Sequence, residues 1–344
     1  MAFLMTDGTV IAQGGDVTDF YKLTPDAFGS YVNGTWSQIA SLPAGYAPQG
    51  YASAILADGR LVLVGGEGNV VGGFQPYTPD SVTNMSAIYD PVSNAWTMIP
   101  APAGVPYIGD SPSTILPDGR LLIGDKFNTQ LRALDPATLQ WTALNSRDKS
   151  DYFAEEGFTL LPSGSVLTID VQHAGHAEHY VPSEQQWISD GSTPTALVSL
   201  QVLPVSNPSG FGPAPRQVVG GVTYGPGPVG IYSPPGEIGP AVLRPDGSVF
   251  ATGGSDGGSA HTAIYRPGVT PMEAGTWTAG PDFPDWHQAA DSSAALLPSG
   301  NVLVLSENSK DHFAKLFEFD GTQFLTAPIG PGTKGFLLPL PEGE

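Results

Sequence analysis

The chain has 344 residues, including 44 glycines and 34 prolines, and only 13% are charged, which argues against a coiled coil and favours a β-rich fold with tight turns. It has no cysteine, so disulfides, thiolate metal sites and a cysteine nucleophile are excluded. Its 13 basic residues stand against 33 acidic residues, a net charge of −20, so we expect neither nucleic acid nor a membrane as a partner.

Six segments along the chain share one pattern, in which an Asp-Gly or Ser-Gly turn joins two apolar stretches. This pattern predicts a β-hairpin. The segments are 5–16, 56–67, 116–125, 161–170, 244–254 and 297–307. A third strand and then an aromatic residue follow each hairpin, and the aromatic residues are Trp36, Trp96, Trp141, Trp187, Trp277 and Phe324. The sequence therefore predicts six units of four strands, which we name a to d.

Units of four strands that recur at roughly 45–50 residues are typical of propeller blades. The glycine pair after strand b, the Tyr of strand c and the Trp of strand d resemble the kelch repeat of galactose-oxidase-like proteins over nearly the whole chain. We predict an all-β, kelch-type β-propeller of six blades, with residues 1–344 as one domain. We interpret residues 191–236 as a Gly/Pro-rich loop insertion, and the alternative is a degenerate seventh blade.

The resemblance also raises the question of the copper cofactor that this family uses. Galactose-oxidase-like enzymes use copper, two histidines and a tyrosine cross-linked to a cysteine, and this chain has no cysteine. The copper-radical cofactor is therefore excluded, and the fold resemblance alone does not name an activity.

Carboxylates are predicted to surround the mouth of the propeller channel. Antiparallel geometry places the start of strand a and the end of strand b on the face opposite the Asp-Gly turns, and strand a lines the channel. When the repeats are aligned on their turns, one equivalent position is occupied by Gly50, Asp110, Glu155 and Asp291. Glu156 and Glu237 lie one residue to either side of this position. A second ring follows strand b, at Asp16, Glu67, Asp125, Asp170, Asp256 and Glu307. The alternative is that these carboxylates only accept hydrogen bonds from loop amides.

Histidines lie close to the same carboxylates in the sequence. His173, His176 and His179 lie in one short segment, and alignment gives His176 and His261 equivalent positions in successive repeats. Imidazole with carboxylates can hold Zn, Mn or Fe, whereas carboxylates and carbonyls alone suit Ca. The candidate metal ligands are Asp170, His173, His176 and His261, and the alternative is that the histidines cap loops.

These residues predict an enzyme that acts on a sugar or another small polar molecule at the channel mouth. Such a hydrolase, lyase or epimerase would use acid/base groups, with or without a divalent metal (Ca, Zn, Mn or Fe). The candidate catalytic residues are Glu155, Glu156, Glu237, His287 and Asp291, and the candidate ligand-binding residues are Tyr107, Asp110, Arg216, Tyr224 and Tyr232. The alternative is a non-catalytic propeller that binds a glycan or a protein through loop aromatics such as Trp286.

The sequence also gives expectations about assembly and location. We expect a monomer. No apolar run approaches the length of a spanning helix, and no export signal opens the chain, so the protein is either cytoplasmic or already without its signal. An extracellular or periplasmic location is our first expectation.

Overall fold

A computed structural model describes residues 1–14, 17–71, 82–105, 108–109, 111–171, 173, 175–199, 210–211, 217–224, 230–231, 236–255 and 257–326 of the chain. Every regular element among these residues is a β-strand. Over the same ranges, no helix has the length and apolar character needed to cross a membrane.

The described residues form six four-stranded antiparallel sheets that are the blades of a β-propeller. Strands a to d span Ala2–Leu4, Val10–Gln13, Phe20–Thr24 and Thr35–Gln38 in blade 1, and Ala52–Ile55, Leu61–Val64, Ser86–Asp90 and Ala95–Ile99 in blade 2. They span Ser113–Ile115, Leu121–Gly124, Leu131–Asp135 and Gln140–Leu144 in blade 3, and Thr159–Leu160, Val166–Ile169, His176–Val181 and Gln186–Ser192 in blade 4. They span Ile238–Leu243, Val249–Gly253, Thr262–Arg266 and Thr276–Ala279 in blade 5, and Ala294–Leu296, Val302–Asn308, Ala314–Phe319 and Phe324–Thr326 in blade 6. The predicted all-β fold with six blades is confirmed.

Two short pairings extend the blades on the side where strand a begins. His287–Gln288 pairs with the end of the long second strand of blade 6, ahead of the main strand a. Pro48–Gln49 pairs with Gly68–Asn69 beside blade 2. Both pairings lengthen the structure on the face opposite the Asp-Gly turns.

The turn between strands a and b explains why the six repeats fold alike. Its glycine has a φ angle between 80° and 86° in every blade, a region in which a residue with a Cβ is strained. These glycines are Gly8, Gly59, Gly119, Gly164, Gly247 and Gly300. The aspartate of the turn adds a local bond, as Asp58 does when its Oδ1 accepts the N–H of Arg60 at 3.1 Å.

The insertion at 191–236 contains ribbons in its described parts. Gly210–Phe211 pairs with Gly230–Ile231, and Gln217–Val219 pairs with Val222–Tyr224. The described parts of this insertion contain no four-stranded sheet, which agrees with six blades rather than seven.

The second ribbon of the insertion contacts the opposite side of the ring. Val219 is buried in a cluster with Tyr46, which lies in the segment between blades 1 and 2, and with Met98 of blade 2. The insertion leaves the ring between blades 4 and 5, which lies diametrically opposite the junction of blades 1 and 2 in a ring of six. The described ribbon Gln217–Val219 with Val222–Tyr224 therefore lies far from the blades that flank the insertion in the sequence.

The hydrophobic core lies between neighbouring blades. One cluster joins Val62 and Val64 of blade 2 to Leu121 and Ile123 of blade 3. Further clusters join blade 1 to blade 2, blade 3 to blade 4, blade 4 to blade 5 and blade 5 to blade 6. Blade-to-blade packing is thus the main source of buried apolar area and of stability.

Three repeat tryptophans add a hydrogen bond between blades. Each indole N–H donates to the segment that leaves the preceding blade. The bonds run from Trp96 Nε1 to the oxygen of Ala40 (2.8 Å), from Trp141 Nε1 to the oxygen of Pro100 (2.9 Å) and from Trp187 Nε1 to Ser146 Oγ (3.0 Å). Trp277 is different, since the insertion precedes its blade, and its buried Nε1 has no hydrogen-bond partner among the described residues.

Candidate functional site

A cavity of about 530 Å³ lies on the face opposite the Asp-Gly turns. Residues at the start of strand a in blades 1, 2, 4 and 6 form its wall, so the cavity is the mouth of the propeller channel. The wall includes Ala2, Gly50, Tyr51, Glu67, Glu155, Glu156 and Asp291.

Three of the predicted catalytic carboxylates converge at this mouth. Glu155 of blade 4, Glu237 of blade 5 and Asp291 of blade 6 each place one oxygen within 4.8 Å of the others. Glu155 and Glu237 are partly buried, whereas Asp291 is exposed. Like charges held this close repel one another, and a cation bound between them would relieve the repulsion.

The backbone at two of these carboxylates is strained. Glu155 has a φ of 61° and Asp291 a φ of 53°, both in the left-handed region that favours glycine. Gly50, at the equivalent position of blade 2, has nearly the same angle of 52°. Backbone strain at a residue whose side chain is required for function is common in functional sites.

A buried lysine fixes the blade 2 and blade 4 sides of the mouth. The Lys126 side chain has no exposed area, and its Nζ donates to Glu67 Oε1 at 2.9 Å and to Glu155 Oε1 at 2.8 Å. Sequence reasoning missed this residue, although it directly follows Asp125 of the second carboxylate ring. Lys126 offsets part of the negative charge and orients Glu155.

A second buried lysine collects four carboxylates in blade 4. Lys149 Nζ lies 2.6 Å from Asp151, 3.1 Å from Glu156, 3.1 Å from Asp170 and 2.8 Å from Glu178, and all five side chains are at most 4% exposed. Burial alone would lower the pKa of Lys149, but these carboxylates raise it well above its usual value. We call these five residues the Lys149 cluster.

The carboxyl groups of the Lys149 cluster differ in protonation. Burial raises the pKa of Glu178 to about 7 and that of Glu156 well above its usual range. Burial also acts to raise the pKa of Asp170, but Lys149 and the hydrogen bond from His176 hold it below its usual range. Burial therefore favours the protonated form of Glu156, whereas Lys149 and His176 favour the ionised form of Asp170.

The predicted metal-ligating histidines have separate partners. His173 Nδ1 lies 2.7 Å from Ser150 Oγ, and His176 Nδ1 lies 2.5 Å from Asp170 Oδ2. His261 Nδ1 lies 2.7 Å from Asp282 Oδ1 instead. The repeat equivalence of His176 and His261 therefore does not give them a shared carboxylate.

Asp170 belongs to two groups of residues that could hold a metal, one with His173 and one with His176. The ammonium of Lys149 is already 3.1 Å from Asp170, so a fixed positive charge stands where a metal would bring one. Electrostatics thus favours the channel mouth over this location for a metal ion.

His287, predicted as catalytic, lies inside blade 6. It has no exposed area, its Nδ1 is 2.9 Å from Ser306 Oγ, and its ring meets Phe317 edge-on at 5.0 Å. Burial lowers its pKa, which keeps the imidazole neutral. The structure does not bring it into the group formed by Glu155, Glu237 and Asp291.

Several predicted residues lie outside the described parts of the chain. They are Asp16, Tyr107, Asp110, Arg216, Tyr232 and Asp256. Tyr224 ends a described ribbon, but the structure describes its backbone only.

No protein-family model matches the sequence, and no curated protein matches it. Solved structures do match over nearly the whole chain. A fungal alcohol oxidase of the AA5 family, in complex with copper, is 14% identical, with a TM-score of 0.60 over 97% of this chain and 65% of that one. This chain thus spans 65% of the length of the oxidase.

Virginiamycin B lyase from Staphylococcus aureus is similar as well. It is 10% identical, with a TM-score of 0.54 over 95% of this chain and 83% of the lyase. A catalytically inactive variant of that lyase with quinupristin is 9% identical, with a TM-score of 0.55 over 95% and 83% of the two chains. At these identities the similarity defines a class, the β-propellers, and the galactose-oxidase-like resemblance is confirmed at the level of the fold.

Proposed function

We propose that the protein is an enzyme that acts on a sugar or another small polar molecule at the channel mouth, where Glu155, Glu237 and Asp291 bind a divalent cation. One observation carries the proposal. These carboxylates of three blades converge within 4.8 Å of one another, and Glu155 and Asp291 line a cavity of about 530 Å³, a volume that suits a small polar ligand.

The ligand set favours a hard cation. Three carboxylates without an imidazole suit Ca²⁺ or Mn²⁺ rather than Zn²⁺. Oxygens that each lie about 2.3–2.6 Å from a calcium ion can be about 5 Å apart, so one Ca²⁺ fits donors that lie within 4.8 Å of one another. Bound there, the cation would polarise an oxygen of the substrate.

The residues of the chain would bind the substrate and accept its proton. Ser293 on the cavity wall offers a hydroxyl group to the hydroxyls of a sugar. Glu67 is 31% exposed and is oriented by Lys126, which suits a general base that faces the cavity. The oxidase and the lyase with this fold are enzymes, which supports catalysis as the class of function.

A binding propeller is the second candidate, and one surface residue favours it. Trp286 is 42% exposed although its φ of 66° is strained, and Lys310 Nζ lies 3.6 Å from its ring centroid. An exposed indole is a stacking surface for a sugar ring.

The test is a calorimetric titration of chelator-treated protein with Ca²⁺ and Mn²⁺. We expect one site in the wild type, at least tenfold weaker binding in Glu237→Gln and Asp291→Asn, and weaker binding at low pH, where protons compete for the carboxylates. Glu184→Gln is the matched control, because it removes the same charge from the exposed c–d turn of blade 4 on the opposite face.

The same preparations would then be assayed for turnover and for sugar binding. Cation-dependent turnover of a glycoside or free sugar supports the enzyme. Sugar binding that Trp286→Ala abolishes, without turnover, supports the second candidate. Equal cation binding by the wild type and Asp291→Asn would contradict the proposed metal site.

A further inference from the structure

Three side chains of blade 4 form a hydrogen-bonded chain at the outer edge of the blade, apart from the channel-mouth carboxylates. His176 Nε2 lies 2.8 Å from Ser189 Oγ, and His176 Nδ1 lies 2.5 Å from Asp170 Oδ2. This order and these atoms are those of a Ser-His-Asp nucleophilic triad, which is recognised by geometry rather than by sequence position. We propose that Ser189, His176 and Asp170 form a second active site, which hydrolyses small carboxylic esters.

Neighbouring strands bring the three residues together. Asp170 directly follows strand b, His176 begins strand c, and Ser189 lies in strand d of the same blade. Ser189 pairs with Glu178, and His176 lies two residues before Glu178 on the same face of strand c, so Ser189 is a diagonal neighbour of His176. The register then shifts, because strand d has one extra residue between Ser189 and Ser192, the residue paired with His176.

The partners of Asp170 define the hydrogen-bond direction along the chain. Lys149 Nζ lies 3.1 Å from its Oδ1, and this buried ammonium favours the ionised carboxylate. An ionised carboxylate accepts only, so Oδ2 accepts the Nδ1–H of His176. The lone pair of Nε2 then faces Ser189 Oγ–H, which is the tautomer that a general base requires.

Solvent exposure increases from Asp170 through His176 to Ser189, and a triad requires this order because its nucleophile must be accessible. The Asp170 side chain is fully buried, the His176 side chain is 27% exposed, and Ser189 is exposed. The reacting oxygen is therefore accessible while its orienting carboxylate is shielded from water. A histidine that only caps a loop would not need a carboxylate held by a buried lysine.

A backbone donor lies beside the reacting atom. The N–H of Gly191 donates to Ser189 Oγ at 3.3 Å. When Oγ bonds to a carbonyl carbon, this N–H is within reach of the oxygen that becomes negative, and such donors contribute strongly to acyl transfer. Gly191 has a φ of 73°, a backbone conformation that glycine adopts without strain.

The reaction balances with water as the only co-reactant. Ser189 Oγ bonds to the ester carbon as its proton moves to His176 Nε2, and the carbon–alkoxide bond then breaks as that proton moves to the leaving oxygen. Water then adds to the acyl carbon and gives a proton to Nε2, the bond to Oγ breaks, and Oγ regains the proton. The products are one alcohol and one carboxylic acid. The net charge of −20 favours neutral or cationic esters over anionic ones.

The experiment combines covalent labelling with ester hydrolysis. Diisopropyl fluorophosphate should add one adduct to the wild type, located at Ser189 by peptide mass spectrometry, and none to Ser189→Ala. With p-nitrophenyl acetate, Ser189→Ala and His176→Gln should each lower kcat/KM at least 100-fold, because a positioned general base contributes about 10²–10⁴-fold.

The control is Ser183→Ala, which removes an exposed serine from the c–d turn of the same blade and should keep both labelling and hydrolysis. Thermal melts of all variants separate a chemical loss from unfolding. An adduct that is absent from the wild type, an adduct elsewhere, or equal hydrolysis by the wild type and Ser189→Ala would overturn the proposal.

Discussion

Replacing Asp291 by glycine should give a more stable protein than replacing it by alanine. Both substitutions remove the carboxylate and its contacts, so they differ mainly in the backbone. Asp291 has a φ of 53°, and blade 2 has Gly50 at the equivalent position with a φ of 52°. Alanine keeps the strain of this conformation, whereas glycine adopts it freely.

The magnitude follows from two opposing effects. The left-handed conformation costs an L-residue about 1–2 kcal/mol, which glycine would recover. Glycine also makes the unfolded chain more flexible than alanine does, which costs about 0.5–1 kcal/mol. We therefore expect Asp291→Gly to exceed Asp291→Ala in free energy of unfolding by about 0.5–1 kcal/mol. Glu155 is less suitable for this comparison, because its loss also breaks the 2.8 Å ion pair with Lys126.

The assay is urea unfolding of both variants in the presence of chelator, followed by tryptophan fluorescence. A higher midpoint for Asp291→Gly at an unchanged slope is the expected result. Cation binding should be weakened in both variants, so the higher stability of Asp291→Gly relative to Asp291→Ala should come without tighter cation binding. An alanine variant at least as stable as the glycine variant would refute the argument that backbone strain is retained for the carboxylate.

Three further predictions concern buried polar groups. Burial lowers the pKa of His287, so its contribution to stability should be full above about pH 6.5, the unfolded value, and should be lost as the pH falls to the lowered folded value; His287→Phe should therefore flatten the fall in unfolding free energy below about pH 6.5. The pKa of His179 is raised, since burial is outweighed by bonds to Asp190 and to a backbone carbonyl, so its contribution is full below about pH 6.5 and lost above the raised value. Asp190→Asn should therefore lower the melting temperature more at pH 6 than at pH 9. Trp96→Phe should destabilise more than Trp277→Phe by about 1 kcal/mol in urea unfolding, because only the Trp96 N–H has a partner to lose.

The repeat pattern predicted the fold because its turn glycines are a backbone requirement. The φ of 80–86° at all six of them is a property that sequence alone can indicate. The same alignment predicted that Glu155 and Asp291 would be equivalent, and their similar backbone angles of 61° and 53° agree with this.

The charged network behind the site could not be predicted in the same way. Lys126 and Lys149 look like ordinary surface lysines in the sequence. In the fold their long side chains are buried, and their ammonium groups form ion pairs with carboxylates. His176 has Ser189 as a diagonal neighbour only because Glu178 pairs with Ser189, and a cross-strand register beside a bulge cannot be read from the alternation of residues.

Each of the six described blades is formed by one uninterrupted stretch of the chain, with hydrogen-bonded neighbours that are consecutive strands. The paired strands of a blade are therefore close in sequence, and a blade can form its hydrogen bonds before distant parts of the chain are folded. The hydrogen bonds of Trp96 and Trp141 point toward the N-terminus, to oxygens of residues that precede their own blade. During synthesis the chain can therefore add one blade at a time, and the indoles of blades 2, 3 and 4 dock on segments that have already left the ribosome.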